Sequence, residues 1–141
     1  MLQDVDGGNG GLLLAQAATL PQAGMLQSLS FYAVTAAGNL RLGIYDSKGT
    51  GGRPRHLLAQ TAAFAVQPGW NTHAVLTFTT LPAGTYWLAY APSSSGLEFP
   101  VDQGSGACLW ARRSFQGMPS TFPTIIGMNP CHWSFYGSVR P

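Results

Sequence analysis

The sequence predicts an all-β domain, an antiparallel two-sheet β-sandwich (jelly-roll-like) of about nine strands. Three observations carry that expectation. Charged residues make up 9% of the chain, against roughly 25% in an average soluble domain. Eighteen glycines and ten prolines punctuate it at short intervals. Between them, apolar residues alternate with a period of two, and no stretch keeps a helical period. No tandem repeat is visible, which sets aside a trefoil or propeller.

At 141 residues the chain fits one domain that buries a sizeable core without help from a metal or a disulfide. Met1 through Gly11 read as a flexible linker, ending in Gly7-Gly8-Asn9-Gly10-Gly11, and residues 12–141 as the sandwich. Asp4-Val5-Asp6-Gly7 has the opening of a calcium loop but lacks the distal glutamate. No cofactor is required, and a structural calcium ion stays open. The first strand, Leu12 to Gln16, reads as an edge strand. Met25 to Val34 puts Leu29, Phe31 and Ala33 on one face and Ser28, Ser30 and Tyr32 on the other. Asn39 to Tyr45 points Leu40, Leu42 and Ile44 inward and Arg41, Gly43 and Tyr45 outward, with a hairpin at Ala37-Gly38-Asn39 between these two strands.

A long loop, Asp46 to His56, holds Gly, Pro and the one cationic group, Lys48, Arg53 and Arg55. Leu57 to Val66 and Thr72 to Thr79 follow as strands, joined by a turn at Gln67-Pro68-Gly69. Gly84 to Tyr90 is the strongest strand signal: Tyr86, Leu88 and Tyr90 face the core, and Trp87 and Ala89 face away. Leu97, Phe99 and Val101 point inward, with Glu98 and Pro100 outward and the proline favouring an edge. Cys108 to Phe115 and His132 to Val139 complete the set, separated by an irregular stretch, Gln116 to Pro130. Cys108 and Cys131 are either two buried thiols or a bridge, which would contribute about 3 kcal/mol.

The formal charge of +2 and pI of 8.7 are too small and too scattered for nucleic acid. No apolar run nears the ~18 residues of a membrane span. Met1-Leu2-Gln3-Asp4 lacks the positive charge of a secretory leader, so the targeting sequence is expected outside this chain. Catalysis is not expected. Of the carboxylates, only Glu98 and Asp102 share a strand face, and four residues of strand rise set them roughly 13 Å apart. Glycoside hydrolysis needs a separation of at most about 9.5 Å. His56, His73 and His132 have no metal-ligand spacing, and Ser105 in Gly104-Ser105-Gly106 reads as a loop serine.

Sugar rings offer apolar C–H faces, which stack on Trp and Tyr while nearby polar groups take the hydroxyls. By parity the outward candidates are Tyr32, Arg41, Tyr45, Trp87 and Glu98, with Trp110 and Arg112 or else the opposite set, Leu109 and Ala111. Trp70 at a strand entrance reads as a core plug, and Trp133, in phase with Phe135 and Val139, as core.

Ser28-Leu29-Ser30-Phe31-Tyr32, Leu40-Arg41-Leu42-Gly43-Ile44-Tyr45, Gly69-Trp70-Asn71-Thr72, Ala83-Gly84-Thr85-Tyr86-Trp87-Leu88-Ala89-Tyr90 and Trp133-Ser134-Phe135-Tyr136 carry a family resemblance. Together they resemble the non-catalytic β-sandwich carbohydrate-binding modules appended to secreted bacterial polysaccharide-degrading enzymes. That resemblance implies a secreted, monomeric module that binds a β-glucan such as cellulose, mixed-linkage glucan or xyloglucan and targets an appended glycoside hydrolase to it. The competing expectation is a structural or adhesive domain of a bacterial surface or phage-tail protein.

Overall fold

The computed structural model describes residues 4–141. Eleven strands form two antiparallel sheets, so the chain is a β-sandwich. The larger sheet has eight strands: β1 (Asp4–Asp6), β2 (Leu12–Leu20), β4 (Asn39–Tyr45), β5 (Leu57–Gln60), β6 (Phe64–Ala65), β8 (Gly84–Pro92), β9 (Phe99–Arg112) and β10 (Gly127–Trp133). Its main order is β1-β9-β2-β8-β4-β5, with β10 paired to β9 and β6 to β4. The smaller sheet runs β11-β3-β7, from β11 (Phe135–Arg140), β3 (Gly24–Ala33) and β7 (Gly69–Leu81). One short 3-10 turn, Thr50–Gly52, interrupts the long loop.

Alternation places the core as expected. Leu29, Phe31, Leu40, Leu42, Ile44, Tyr86, Leu88, Tyr90, Leu97, Phe99 and Val101 are all buried between the sheets. Tyr90 is its centre, with ring centroids 4.8 Å from Phe31 and 4.9 Å from Trp133. Burial and the nearby Asp6 carboxylate hold its phenol well above the ordinary range, against a smaller opposing hydrogen bond from Asn9. Gln16 is buried on the same sheet and spends both ends of its amide on β10 and β11. Its Nε2 donates to the Phe135 carbonyl at 3.1 Å, and its Oε1 accepts the Trp133 N–H at 2.7 Å.

Connectivity departs from the expected strand list at several places: the strands expected around Leu97–Val101 and at Cys108–Phe115 are one, β9, and β10 begins at Gly127, inside the stretch expected to be irregular. β2 is not an edge strand but lies between β8 and β9, its short expected span extended to Leu20. Ala37-Gly38-Asn39 is a crossover rather than a hairpin, because β3 and β4 belong to different sheets. The stretch from Leu57 to Val66 divides into β5 and β6, both paired with β4. Thr61 fills the gap between them: its N–H donates to the Leu42 carbonyl and its hydroxyl accepts the Leu42 N–H. His132 to Val139 also divides, at Ser134, where the chain leaves the large sheet for the small one. Finally, Asp4–Asp6 of the expected linker pairs with Phe99–Val101 of β9, while Met1–Gln3 lie outside the described residues. Pro100, expected outward, is buried, directly across from Val5 of the added strand beside it.

Cys108 and Cys131 are bridged, with Cα atoms 5.3 Å apart. The bridge joins β9 to β10 beside an irregularity between Asn129 and Cys131, where β9 leaves β1 and meets β2.

A second apolar layer lies on the outer face of the large sheet. Leu13, Ala15, Tyr45, Trp87, Ala89, Leu109 and Ala111 are buried there under Met118 and Phe122, which belong to the irregular connection after β9.

Candidate functional site

Parity named the outward positions correctly on several strands, yet it could not say what covers them. Trp87 is 6% exposed and Tyr45 is fully buried, so neither is offered to a ligand. The Trp87 indole N–H donates to the Gly52 carbonyl at 2.9 Å, which pins the glycine-rich loop over it. The Tyr45 hydroxyl donates to the Pro119 carbonyl at 2.7 Å, and its ring meets Phe122 edge-on at 5.2 Å. Burial drives the Tyr45 phenol far above its usual range, only partly offset by Arg113. Arg41 lies in the same covered layer, half-buried, with its guanidinium 5.4 Å from the Phe115 ring centroid. Leu109 and Ala111 are covered too, which leaves Trp110 on the opposite side of β9.

The loop that pins Trp87 is anchored by Asp46. Its carboxylate accepts the His56 and Lys48 N–H groups at 3.0 and 3.2 Å and faces the His56 ring at 2.8 Å. Burial pushes its pKa up, but these hydrogen bonds outweigh burial and leave the carboxyl below its ordinary value.

The small sheet has no such cover, and there three aromatic rings stand together in the open. Tyr32 on β3 is the cross-strand partner of Trp70 on β7, and Tyr136 on β11 pairs with Ser30, two residues along β3. The Trp70 ring centroid is 5.3 Å from Tyr32 and 5.0 Å from Tyr136, edge-to-face with both. Trp70 and Tyr136 are 49% and 47% exposed, and Tyr32 is half-buried. Beside them the Ser30 and Thr72 hydroxyls share a hydrogen bond of 2.8 Å. The arrangement supplies one large indole held upright by two phenols, with the exposed Thr72 hydroxyl on one side and the Ser30 hydroxyl buried, which suits stacking against a ring that has one apolar face.

Trp70 is therefore a surface residue and not a core plug. The sequence carried no signal for this: on β7 the more apolar alternate set, Trp70, Leu76 and Phe78, faces solvent, while Asn71 and Val75 of the more polar set are buried. Asn71 is the interior member of that turn, donating to the Gln67, Gly69 and Phe31 carbonyls. Tyr136, by contrast, was legible from the phase of Trp133 and Phe135, both read as core and both buried. Of the expected site residues only Tyr32 joins this cluster. Glu98 is exposed but stands between strands, bridging to Thr35 through its backbone. Arg112 is exposed at the end of β9, opposite Leu12. Trp110 is half-buried and lines a separate cavity with Trp133.

Polar side chains gather elsewhere without forming a hydrolytic site. The Ser105 hydroxyl donates to Asp102 at 2.7 Å and lies 3.4 Å from His132 Nδ1, and the same Nδ1 is 3.8 Å from Asp102. A nucleophile relay needs serine and carboxylate on opposite ring nitrogens, whereas here both face one. Among the described residues no three His, Cys, Asp or Glu side chains converge as a metal site. Asp6, the last acid of the calcium-like opening, is engaged by the Gly7 N–H and the Trp133 indole N–H.

No family model matches the chain, and no curated protein matches it.

Proposed function

We propose that this chain is a non-catalytic polysaccharide-binding domain that grips its ligand at Trp70, Tyr32 and Tyr136. The observation that carries the reading is the exposure of an indole between two phenols on the open face of the small sheet. An exposed tryptophan costs solubility and stabilises little, so its presence among hydroxyl-bearing neighbours favours recognition of sugar rings. The upright, non-coplanar rings suit a single glycan chain better than a flat crystalline surface. β-Glucan is the ligand class we favour, and a glycoside hydrolase the partner it would serve. The disulfide supports an oxidising, extracellular setting.

Affinity electrophoresis in gels containing barley β-glucan, xyloglucan, xylan or laminarin tests this. Retardation by at least one polymer, abolished by Trp70→Ala with melting unchanged, is the expected result. Migration unaffected by every polymer would remove the reading for those ligands.

One observation favours the adhesive alternative. Leu76 and Phe78, 65% and 53% exposed, extend the apolar surface along β7, an edge strand of the small sheet. Concentration-dependent association in sedimentation, suppressed by Leu76→Lys and not by Trp70→Ala, would support that alternative instead.

A further inference from the structure

The glycine-rich segment before β2 does not trail away from the domain. Gly8 N–H donates to the Ser95 carbonyl and Leu12 N–H to the Asn9 carbonyl, so the segment is tied down across the loop that follows β8. With β2, β9 and β10 it encloses a cavity of about 310 Å³. One wall is the indole of Trp110, and the others present Asp6, Asn9, Gln103 and Asn129. The Trp110 indole lies directly over its cross-strand partner Gly127 on β10, where a Cβ would fall 2.3 Å from the ring atoms. Glycine at that position lets the ring lie against the backbone and turn its remaining surface to the cavity.

The chemistry of the walls narrows the occupant. No Lys or Arg lines the cavity, so it has nothing to pair with phosphate or a sugar acid. Three side chains are neutral amides; Gln103 and Asn129 offer both donors and an acceptor, while the Asn9 NH2 is directed to Asp6 and the Tyr90 hydroxyl. The Gln103 and Asn129 amides and the Asn9 side-chain oxygen have no hydrogen-bond partner among the described residues. Asp6 is held in place by the Trp133 indole N–H at 2.9 Å and the Gly7 N–H at 2.8 Å, leaving further lone pairs toward the opening. The volume sits at the small end of the roughly 300–1,000 Å³ range of ligand pockets, enough for one ring or two and too little for a long chain.

We propose that this cavity is a second binding site, for a neutral hydroxylated ring, with Trp110 stacking its apolar face and Asn9, Gln103 and Asn129 taking its hydroxyls. Resting on the saccharide reading above, it assigns a terminal or side-branch sugar to the cavity while the Trp70 cluster holds the chain. The two sites lie three positions apart along the chain, since Trp133 lines the cavity and Tyr136 stands in the cluster on the other sheet.

Protein labelled with 5-fluorotryptophan separates the two sites, because Trp70 and Trp110 give distinct fluorine resonances that single Trp→Phe variants assign. Glucose, galactose, mannose, xylose, cellotriose and glucosamine are titrated in turn. A saturable shift of the Trp110 signal with a neutral sugar, retained in Trp70→Ala and weakened about tenfold in Asn129→Ala or Gln103→Ala, is the expected result. Both substituted side chains are exposed, so folding is not at stake. Movement of Trp70 alone would overturn the cavity site and leave the proposed function standing. Movement of Trp110 with protonated glucosamine alone would overturn the neutral-ring assignment, and silence of both signals would sink both.

Discussion

The two outer faces of this sandwich follow the same alternation and meet opposite fates. On the large sheet the outward aromatics Tyr45 and Trp87 lie beneath the connection after β9 and the glycine-rich loop. On the small sheet Tyr32, Trp70 and Tyr136 meet solvent. An aromatic residue out of phase with the core is therefore not yet a surface residue. What distinguishes the faces is the length of irregular chain beside each: two long loops fold back over the large sheet, and none crosses the aromatic cluster of the small one.

The comparison breaks most sharply on tryptophan. Trp87→Ala should cost about 3–5 kcal/mol, through the void left in the second layer and the lost hold on the loop. Trp70→Ala should cost less than about 1 kcal/mol while abolishing glycan retardation. Urea unfolding of both variants measures the contrast, and equal losses would mean that the cluster is buried after all.

Removing the disulfide comes next. Cys108→Ala with Cys131→Ala should lower stability by about 3 kcal/mol, reading the bridge as a restraint on the unfolded chain. Because Cys131 lines the Trp110 cavity, monosaccharide binding there should weaken while the Trp70 cluster keeps its affinity. Fluorine titration of the double variant checks both halves.

Tyrosine hydroxyls give a smaller, cleaner contrast. Tyr45→Phe strands the Pro119 carbonyl and should cost about 1 kcal/mol. Tyr136→Phe, on the exposed face, should stay within about 0.5 kcal/mol. Thermal melts of the pair decide it.

The gentlest probe is pH. The folded pKa of Asp46 is depressed, so its contribution is present above the unfolded value near ~3.9 and is lost as pH falls through the folded value. Wild type should therefore melt above Asp46→Asn at neutral pH, with the gap closing below about pH 4. A gap independent of pH would show that the carboxylate charge does not hold the loop.

Much of this was readable beforehand. Strict alternation in Leu40-Arg41-Leu42-Gly43-Ile44 and Tyr86-Trp87-Leu88-Ala89-Tyr90 fixed which side chains enter the inter-sheet core, because a one-residue slip would expose all of them. Phase also pointed Tyr136 outward, next to Phe135, but on β7 it pointed the wrong way: the apolar set Trp70, Leu76 and Phe78 is exposed and Asn71 is buried. The Asp4–Asp6 strand carried no such signal, since three residues beside a glycine run are too few to show a period. The Trp110 cavity was also illegible, being assembled from side chains as distant in sequence as Asp6 and Asn129.

Local pattern settled the all-β class and the inward face of most strands, because alternation is a property of neighbouring residues. Strand order, the covering of Tyr45 and Trp87, the bridging of Cys108 to Cys131 and the meeting of Tyr32, Trp70 and Tyr136 came only with the folded molecule. Those outcomes depend on which distant segments lie side by side, and period-two alternation is the same whichever neighbour a strand pairs with.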